Sequence, residues 1–232
     1  MDDNEIPGGP VSNRPLKFCW VLDVSGSMAG EKIGQLNHAI REALPAMIAA
    51  ANENAHARVE VQVLTFSNGA RWQTPTAIPL EQFTWSNISE GGITDMGAAM
   101  ELLAKALHVD AMPDRSLPPV LVLVTDGQPT DNFDAGLATL MAQPWATKAI
   151  RLGIAVGTDA DEEPLRKFVD NPEMAILHAN NSETLVQYIK WASTAALKAA
   201  TAPNAAGKSS LSNGNVGPIA APPAQVDTTT VW

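Results

Sequence analysis

The chain has 232 residues, 45% of them hydrophobic, and a formal charge of −10 with a pI near 4.8. That length suits one α/β domain with a well-buried core plus some tail. The acidic balance, with no basic run anywhere, argues against a nucleic-acid or anionic-membrane surface, since either needs clustered Lys and Arg.

Residues 1–13 are rich in Gly, Pro and Asn and read as a flexible lead-in. They begin with an acidic run, Met1 to Glu5, which lacks the apolar core of a signal peptide. No apolar run approaches the ~20 residues needed to span a bilayer. The single cysteine, Cys19, lies in an apolar stretch, so it reads as structural and no disulfide framework can form within the chain. A cytoplasmic location is the expectation.

Leu16 to Asp23 is nearly all apolar, as befits a strand buried on both faces of a parallel sheet. From Gly30 to Asn52 apolar residues fall three or four apart, predicting a helix, with Pro45 marking a kink or local break. Val59 to Phe66 alternates as a strand, and Ala70 to Ile78 reads as its hairpin partner across Ser67-Asn68-Gly69. Thr94 to Leu107 is helical, and Val120 to Thr125 is a second strongly buried strand. There follow a short helix over Phe133 to Met141, a strand over Ala149 to Val156 and a helix over Glu162 to Val169. A short strand over Met174 to Leu177 and a final amphipathic helix over Ser182 to Leu197, capped by Ser182, complete the series.

Strands alternating with helices predict a three-layer, doubly wound α/β domain over residues 14–198. Its sheet is mostly parallel with one antiparallel edge strand, and helices cover both faces. Residues 199–232 form an Ala/Pro/Gly/Ser-rich tail ending in the β-prone Val226–Trp232, a candidate docking peptide.

Ligands in such folds bind beyond the carboxyl ends of the strands, and three polar clusters fall there. Asp23-Val24-Ser25-Gly26-Ser27 follows the first buried strand, Gly91-Gly92-Ile93-Thr94-Asp95-Met96-Gly97 opens a helix, and Thr125-Asp126-Gly127 follows the second buried strand. If the two buried strands are neighbours, Asp23 and Asp126 emerge together and need a cation between them, or one holds a proton. Ser25, Ser27 and Thr94 add neutral hydroxyl oxygens. An all-oxygen set of this kind selects Mg2+, Mn2+ or Ca2+ over Zn2+ or copper.

These three motifs, in this order, resemble the metal-ion-dependent adhesion site of von Willebrand factor type A (vWA) domains, a Rossmann-like fold. Within that family the chain looks most similar to the bacterial TerY-like tellurium-resistance branch. The features shared with that branch are Ser12-Asn13-Arg14-Pro15-Leu16, Thr125-Asp126-Gly127-Gln128-Pro129-Thr130-Asp131 and Gly153-Ile154-Ala155-Val156-Gly157. The resemblance implies that Ser25, Ser27 and Thr94 ligate the metal directly, with Asp23 and Asp126 acting through water. Few anionic ligands leave such a cation open to a carboxylate of a partner, so the implied role is non-catalytic, metal-dependent protein recognition. Asp95, Trp85 and Trp232 are the expected partner contacts, although Asp95 adds negative charge beside the site and Trp85 also reads as core or edge packing. Trp72, Trp145 and Trp191 read as core or surface alike.

The TerY resemblance implies a stress or defence setting, with a protein kinase and a metal-dependent protein phosphatase as partners. A subunit working with a MoxR-type AAA+ ATPase is the alternative, and a metal-dependent hydrolase is the alternative of another class. Against a hydrolase, Ser25 stands where haloacid-dehalogenase-like phosphatases carry a second Asp. The histidines His38, His56, His108 and His178 also fall away from the three clusters.

Overall fold

The computed structural model describes residues 13–53, 57–158, 160–201 and 219–224; His56 and the expected docking peptide Val226–Trp232 lie outside them. The strands are β1 (Arg14–Asp23), β2 (Ala57–Ser67), β3 (Gly69–Trp72), β4 (Ile78–Pro79), β5 (Val120–Thr125), β6 (Ile150–Val156) and β7 (Leu177–Ala179). The helices are α1 (Glu31–Asn52), α2 (Met96–Ala106), α3 (Phe133–Met141), α4 (Pro144–Thr147), α5 (Glu162–Val169) and α6 (Ser182–Thr201). The strands form one sheet in the order β3-β2-β1-β5-β6-β7, with β4 also pairing β2. β2, β1, β5, β6 and β7 run parallel, while β3 and β4 run antiparallel to β2. This is the expected α/β architecture. Among the described residues no helix is long and apolar enough to cross a membrane.

Strand periodicity divides the core between the two faces. Leu16, Phe18, Trp20 and Leu22 join the layer built with α1 and α6, whereas Cys19 and Val21 join the layer built with α2, α3 and α5. Nearly continuous apolar strands are therefore required, because both faces of β1, β5 and β6 are covered.

Several local expectations need correction. The hairpin partner over Ala70–Ile78 is split into β3 and β4, because the Thr74 side chain enters the ladder. Its Oγ1 accepts the Val63 N–H at 2.7 Å, and Pro75 follows with no donor. Of the kink or break expected at Pro45, the break does not occur: α1 runs on through Pro45, which is exposed, as is Arg41, whose carbonyl loses its helical partner there. The last strand starts at Leu177 because the Met174 N–H turns back to Asn171 O at 3.1 Å. α6 is capped by Asn181, whose Oδ1 accepts the Thr184 N–H at 2.9 Å, and it continues to Thr201. The one-turn α4 had no periodic signal to betray it.

Beyond α6, residues 219–224 lie back against the same helix. The Trp191 indole N–H donates to Ala221 O at 3.1 Å, and Ile219 packs against the α1/α6 core. A chain ending at Thr201 is expected to fold but to melt roughly 2–6 °C lower, the effect of losing one hydrogen bond and part of an Ile burial. Calorimetry of the truncated chain checks this: an unchanged melting temperature would mean the strap contributes nothing, and loss of the cooperative transition would make it part of the core.

Cys19 is fully buried, and burial pushes its thiol up to about 12, with Lys17 pulling weakly the other way. Its alkylation by iodoacetamide at mildly alkaline pH should therefore track global unfolding. Fast labelling of the native chain would contradict that packing.

Candidate functional site

β1 and β5 are parallel neighbours with Leu22 opposite Val124, so Asp23, ending β1, and Asp126, just past β5, emerge side by side. Both carboxylates are buried, and each has both oxygens engaged. Asp23 Oδ1 accepts the Ser25 N–H at 2.8 Å, and its Oδ2 accepts the Thr125 hydroxyl at 2.6 Å. Asp126 Oδ1 accepts the Ser27 hydroxyl at 2.7 Å, and its Oδ2 accepts the Lys32 ammonium at 2.6 Å. Ser25 Oγ and Ser27 Oγ lie 2.9 Å apart. Burial pushes the Asp23 carboxyl up from its ordinary value; the bonds from Ser25 and Thr125 oppose this, and Asp126 adds a smaller upward push.

The second loop is clipped onto the first by backbone. Gly91 N–H donates to Val24 O at 2.8 Å, and Gly26 N–H donates to Gly92 O at 3.0 Å. Gly92 has φ +89°, and a Cβ there would stand 2.7 Å from the Asn68 side chain, so only glycine fits. Asn68 Oδ1 in turn holds the Ile93 N–H at 3.1 Å. Thr94 is buried, and its backbone is tied twice to Thr130: its N–H to Oγ1 at 3.0 Å and its carbonyl from the Thr130 N–H at 2.9 Å. A Cβ on Gly127 would lie 3.7 Å from Ser27 Oγ and 3.8 Å from Thr94 Oγ1, so both hydroxyls border the space that this glycine leaves open.

Asp23, Ser25, Ser27 and Asp126 are thus joined in one hydrogen-bonded cluster, and Thr94 borders the same space. Asp95 is placed differently. Its carboxylate accepts the Gly69 N–H at 2.7 Å and the Thr130 hydroxyl at 3.2 Å, fastening the β2–β3 turn to the third loop. Trp85 packs edge-on to Trp20 with ring centroids 6.2 Å apart, and its indole N–H donates to Asn37 Oδ1 at 3.0 Å. The core-packing reading accounts for that ring. Trp232 lies outside the described residues.

Several residues escaped the sequence reading. Asn37 accepts Ile88 N–H and donates to Ile88 O, both at 2.9 Å, pinning the run into the Gly91 loop to α1. Asp131 accepts the Gly97 and Ala98 N–H groups at 2.8 Å each, so α2 is capped from a distant loop. Lys32 had one signal: it sits in the first turn of a helix, where the macrodipole disfavours a cation unless a carboxylate faces it.

The von Willebrand factor type A domain model matches residues 19–191. The chain belongs to the von Willebrand factor type A domain family. Inter-alpha-trypsin inhibitor heavy chain H4 of Bos taurus is 28% identical over 134 residues, which is 52% of this chain and 13% of that protein. A von Willebrand factor type A structure from Catenulispora acidiphila aligns with a TM-score of 0.59 at 18% identity, over 80% of this vWA chain and 43% of that one. The pilus adhesin SpaC from Lactobacillus rhamnosus GG aligns with a TM-score of 0.61 at 11% identity, over 80% and 31% of the two chains. Proximal thread matrix protein 1 of the mussel byssus, with a zinc-occupied MIDAS motif, gives 0.53 at 14% identity over 81% and 46%. This chain therefore spans less than half the length of these relatives, and the structural likenesses establish the fold. vWA domains commonly mediate protein–protein interaction, and they often bind a divalent metal.

Among the described residues no cluster of three or more His, Cys, Asp or Glu could hold a metal. The cluster at the sheet edge is of another kind: two carboxylates backed by hydroxyls, whose donors are aimed at those carboxylates. Such bonding leaves hydroxyl lone pairs for a hard cation.

Because burial raises Asp23 above its unfolded value, folding disfavours its ionised form, and that cost is present at neutral pH and disappears in acid. Asp23→Asn keeps groups able to bond Ser25 and Thr125 while removing the charge. It should raise the melting temperature in EDTA, where no cation offsets the cost of the buried charge. A lower value by calorimetry would show that the charge is net favourable where it lies.

Proposed function

We propose that this vWA domain holds one divalent cation at its sheet edge and uses it to grip a carboxylate of a protein partner, without catalysis of its own. Mg2+ is the first choice, with Mn2+ and Ca2+ as alternatives. Ser25, Ser27 and Thr94 are the proposed direct ligands, and Asp23 and Asp126 stand behind them. The bound cation would supply a Lewis-acidic position open to one oxygen anion.

The supporting observation is the direction of the hydrogen bonds. The Ser27 hydroxyl proton is drawn to Asp126, and the Thr125 hydroxyl and Ser25 N–H are drawn to Asp23. Asp126 as acceptor leaves the Ser27 oxygen's lone pairs free for a cation, while Asp23 fixes the Ser25 backbone beside it, the task such supporting groups perform around many metals. Gly127 leaves the required space. Ile93, 51% exposed beside Thr94, offers an apolar contact on the rim for whatever flanks the partner's carboxylate.

The motif Thr125–Asp131 also supports a TerY-like assignment. Its residues serve the site one after another: Thr125 on Asp23, Asp126 on Ser27, Thr130 on Thr94 and Asp131 on α2. On that reading the domain works in the cytoplasm within a stress or defence system, with a protein kinase or a metal-dependent protein phosphatase as its partner.

The test is capture of partners from native lysate by the tagged full chain, in Mg2+ and in EDTA, beside Thr94→Val. That variant removes one hydroxyl but keeps both backbone bonds to Thr130. Proteins identified by mass spectrometry should be retained in Mg2+ and lost in EDTA and with Thr94→Val. The same proteins bound under all three conditions would place recognition elsewhere. A Zn2+ arm belongs in the experiment, since zinc occupies the MIDAS motif of the mussel thread protein.

A further inference from the structure

Lys32 stands in the first turn of α1, a place where the helix macrodipole works against a cation by about 0.3–1 kcal/mol. Its ammonium nevertheless lies 2.6 Å from Asp126 Oδ2, with its side chain 18% exposed and that of Asp126 1% exposed. Asp126 keeps its other oxygen for the Ser27 hydroxyl. Asp23, by contrast, accepts from neutral donors, the Ser25 N–H and the Thr125 hydroxyl. The cluster thus contains one carboxylate neutralised by the protein itself and one that is not.

We infer that Lys32 fixes the charge of the loaded site and thereby makes it a receptor for a single carboxylate; this rests on the metal-holding reading above. Asp23 and Asp126 contribute two negative charges, Lys32 one positive charge, and Ser25, Ser27 and Thr94 none. A divalent cation added to that set leaves one net positive charge, which a partner's carboxylate cancels. With Lys32 removed the same set sums to zero, and the electrostatic pull on an anion is gone. Asp95 stands apart from this set: its carboxylate accepts the Gly69 N–H and the Thr130 hydroxyl at the β2–β3 turn, and its charge is the same with and without Lys32, so it does not alter the difference between them.

Lys32 can keep its contact when the hydroxyl oxygens take up a cation, since it uses Oδ2 while Ser27 uses Oδ1. Its charge then acts in two opposite directions. It repels the cation, weakening the metal grip, and it attracts the incoming carboxylate, strengthening the ligand grip. A residue that merely supported the fold would move both affinities the same way.

The experiment compares the full chain with Lys32→Met and Lys32→Arg, after melting curves in EDTA confirm that each is folded. Mg2+ is titrated by calorimetry with no partner present. The Mg2+-saturated proteins are then titrated with a capped hexapeptide containing one Asp, and with its Asn counterpart. Lys32→Met should bind Mg2+ more tightly by roughly tenfold and the Asp peptide more weakly by roughly tenfold, the size of effect a nearby partly buried charge produces. Lys32→Arg should stay near wild type in both, and the Asn peptide should bind none of them. If Lys32→Met weakens both affinities, leaves either unchanged, or if wild type does not distinguish Asp from Asn, the inference is overturned while the metal site stands. Absence of Mg2+ binding by wild type would instead overturn the metal site, and this inference with it.

Discussion

The parallel pairing of β1 with β5 is the constraint from which the rest follows. Each strand ends in or just before an aspartate, and adjacency delivers Asp23 and Asp126 to the same buried corner of the sheet. Burying a carboxylate is costly unless hydrogen bonds or a counter-charge meet it. The surrounding sequence is organised around that cost. Ser25 and Thr125 satisfy Asp23, while Ser27 and Lys32 satisfy Asp126. The loops after β1 and β5 are polar because the strands before them aim charge at that corner.

Two buried carboxylates alone would tend to separate or to hold a proton. What keeps them fixed is a set of cross-links with no charge of their own. The backbone of Gly91 and Gly92 is fastened to Val24 and Gly26, and the Thr94 backbone to Thr130. Asn37 anchors the same run to α1 through both protons and lone pairs of one amide. A cluster held this way would need little reorganisation to take up a ligand, and such preorganisation favours binding.

Fold and site differed in how far they were legible. β1 and β5 were plain in the sequence because both faces are covered, so their apolar runs are nearly continuous. α3 and α5 were bounded correctly because each begins beside an Asx cap, Asn132 and Asp161. The five residues lining the candidate centre could be named because glycines and hydroxyls cluster where strands end. The residues that support them could not. Asn37, Lys32 and Asp131 sit on α1 or in a distant loop, and each looks like an ordinary surface residue until the fold turns it inward. Trp85 was ambiguous for the same reason: a tryptophan in a polar loop fits a partner contact or core packing alike, and only the fold decides, its ring meeting Trp20 and its N–H meeting Asn37. Thr74 marks the opposite failure: the strand pattern runs on through it, but its side chain accepts the Val63 N–H and splits the ladder. At Pro45 the helix was legible, and solvent exposure lets it continue without a break.

The choice of lysine at position 32 bears on why a binding site would be built with a competing charge. A site optimised only to hold a divalent cation would leave both aspartates unneutralised and gain the full attraction of two negative charges. It would then present its ligand with a nearly neutral surface. On the proposed reading, an ammonium on Asp126 gives up part of the grip on the cation and transfers that electrostatic energy to the anion that binds it. The trade is sensible only where the second event is the purpose of the first. The Lys32–Asp126 contact therefore argues for a site whose work is recognition. The helix tolerates a cation at its unfavourable end because the Asp126 carboxylate faces it.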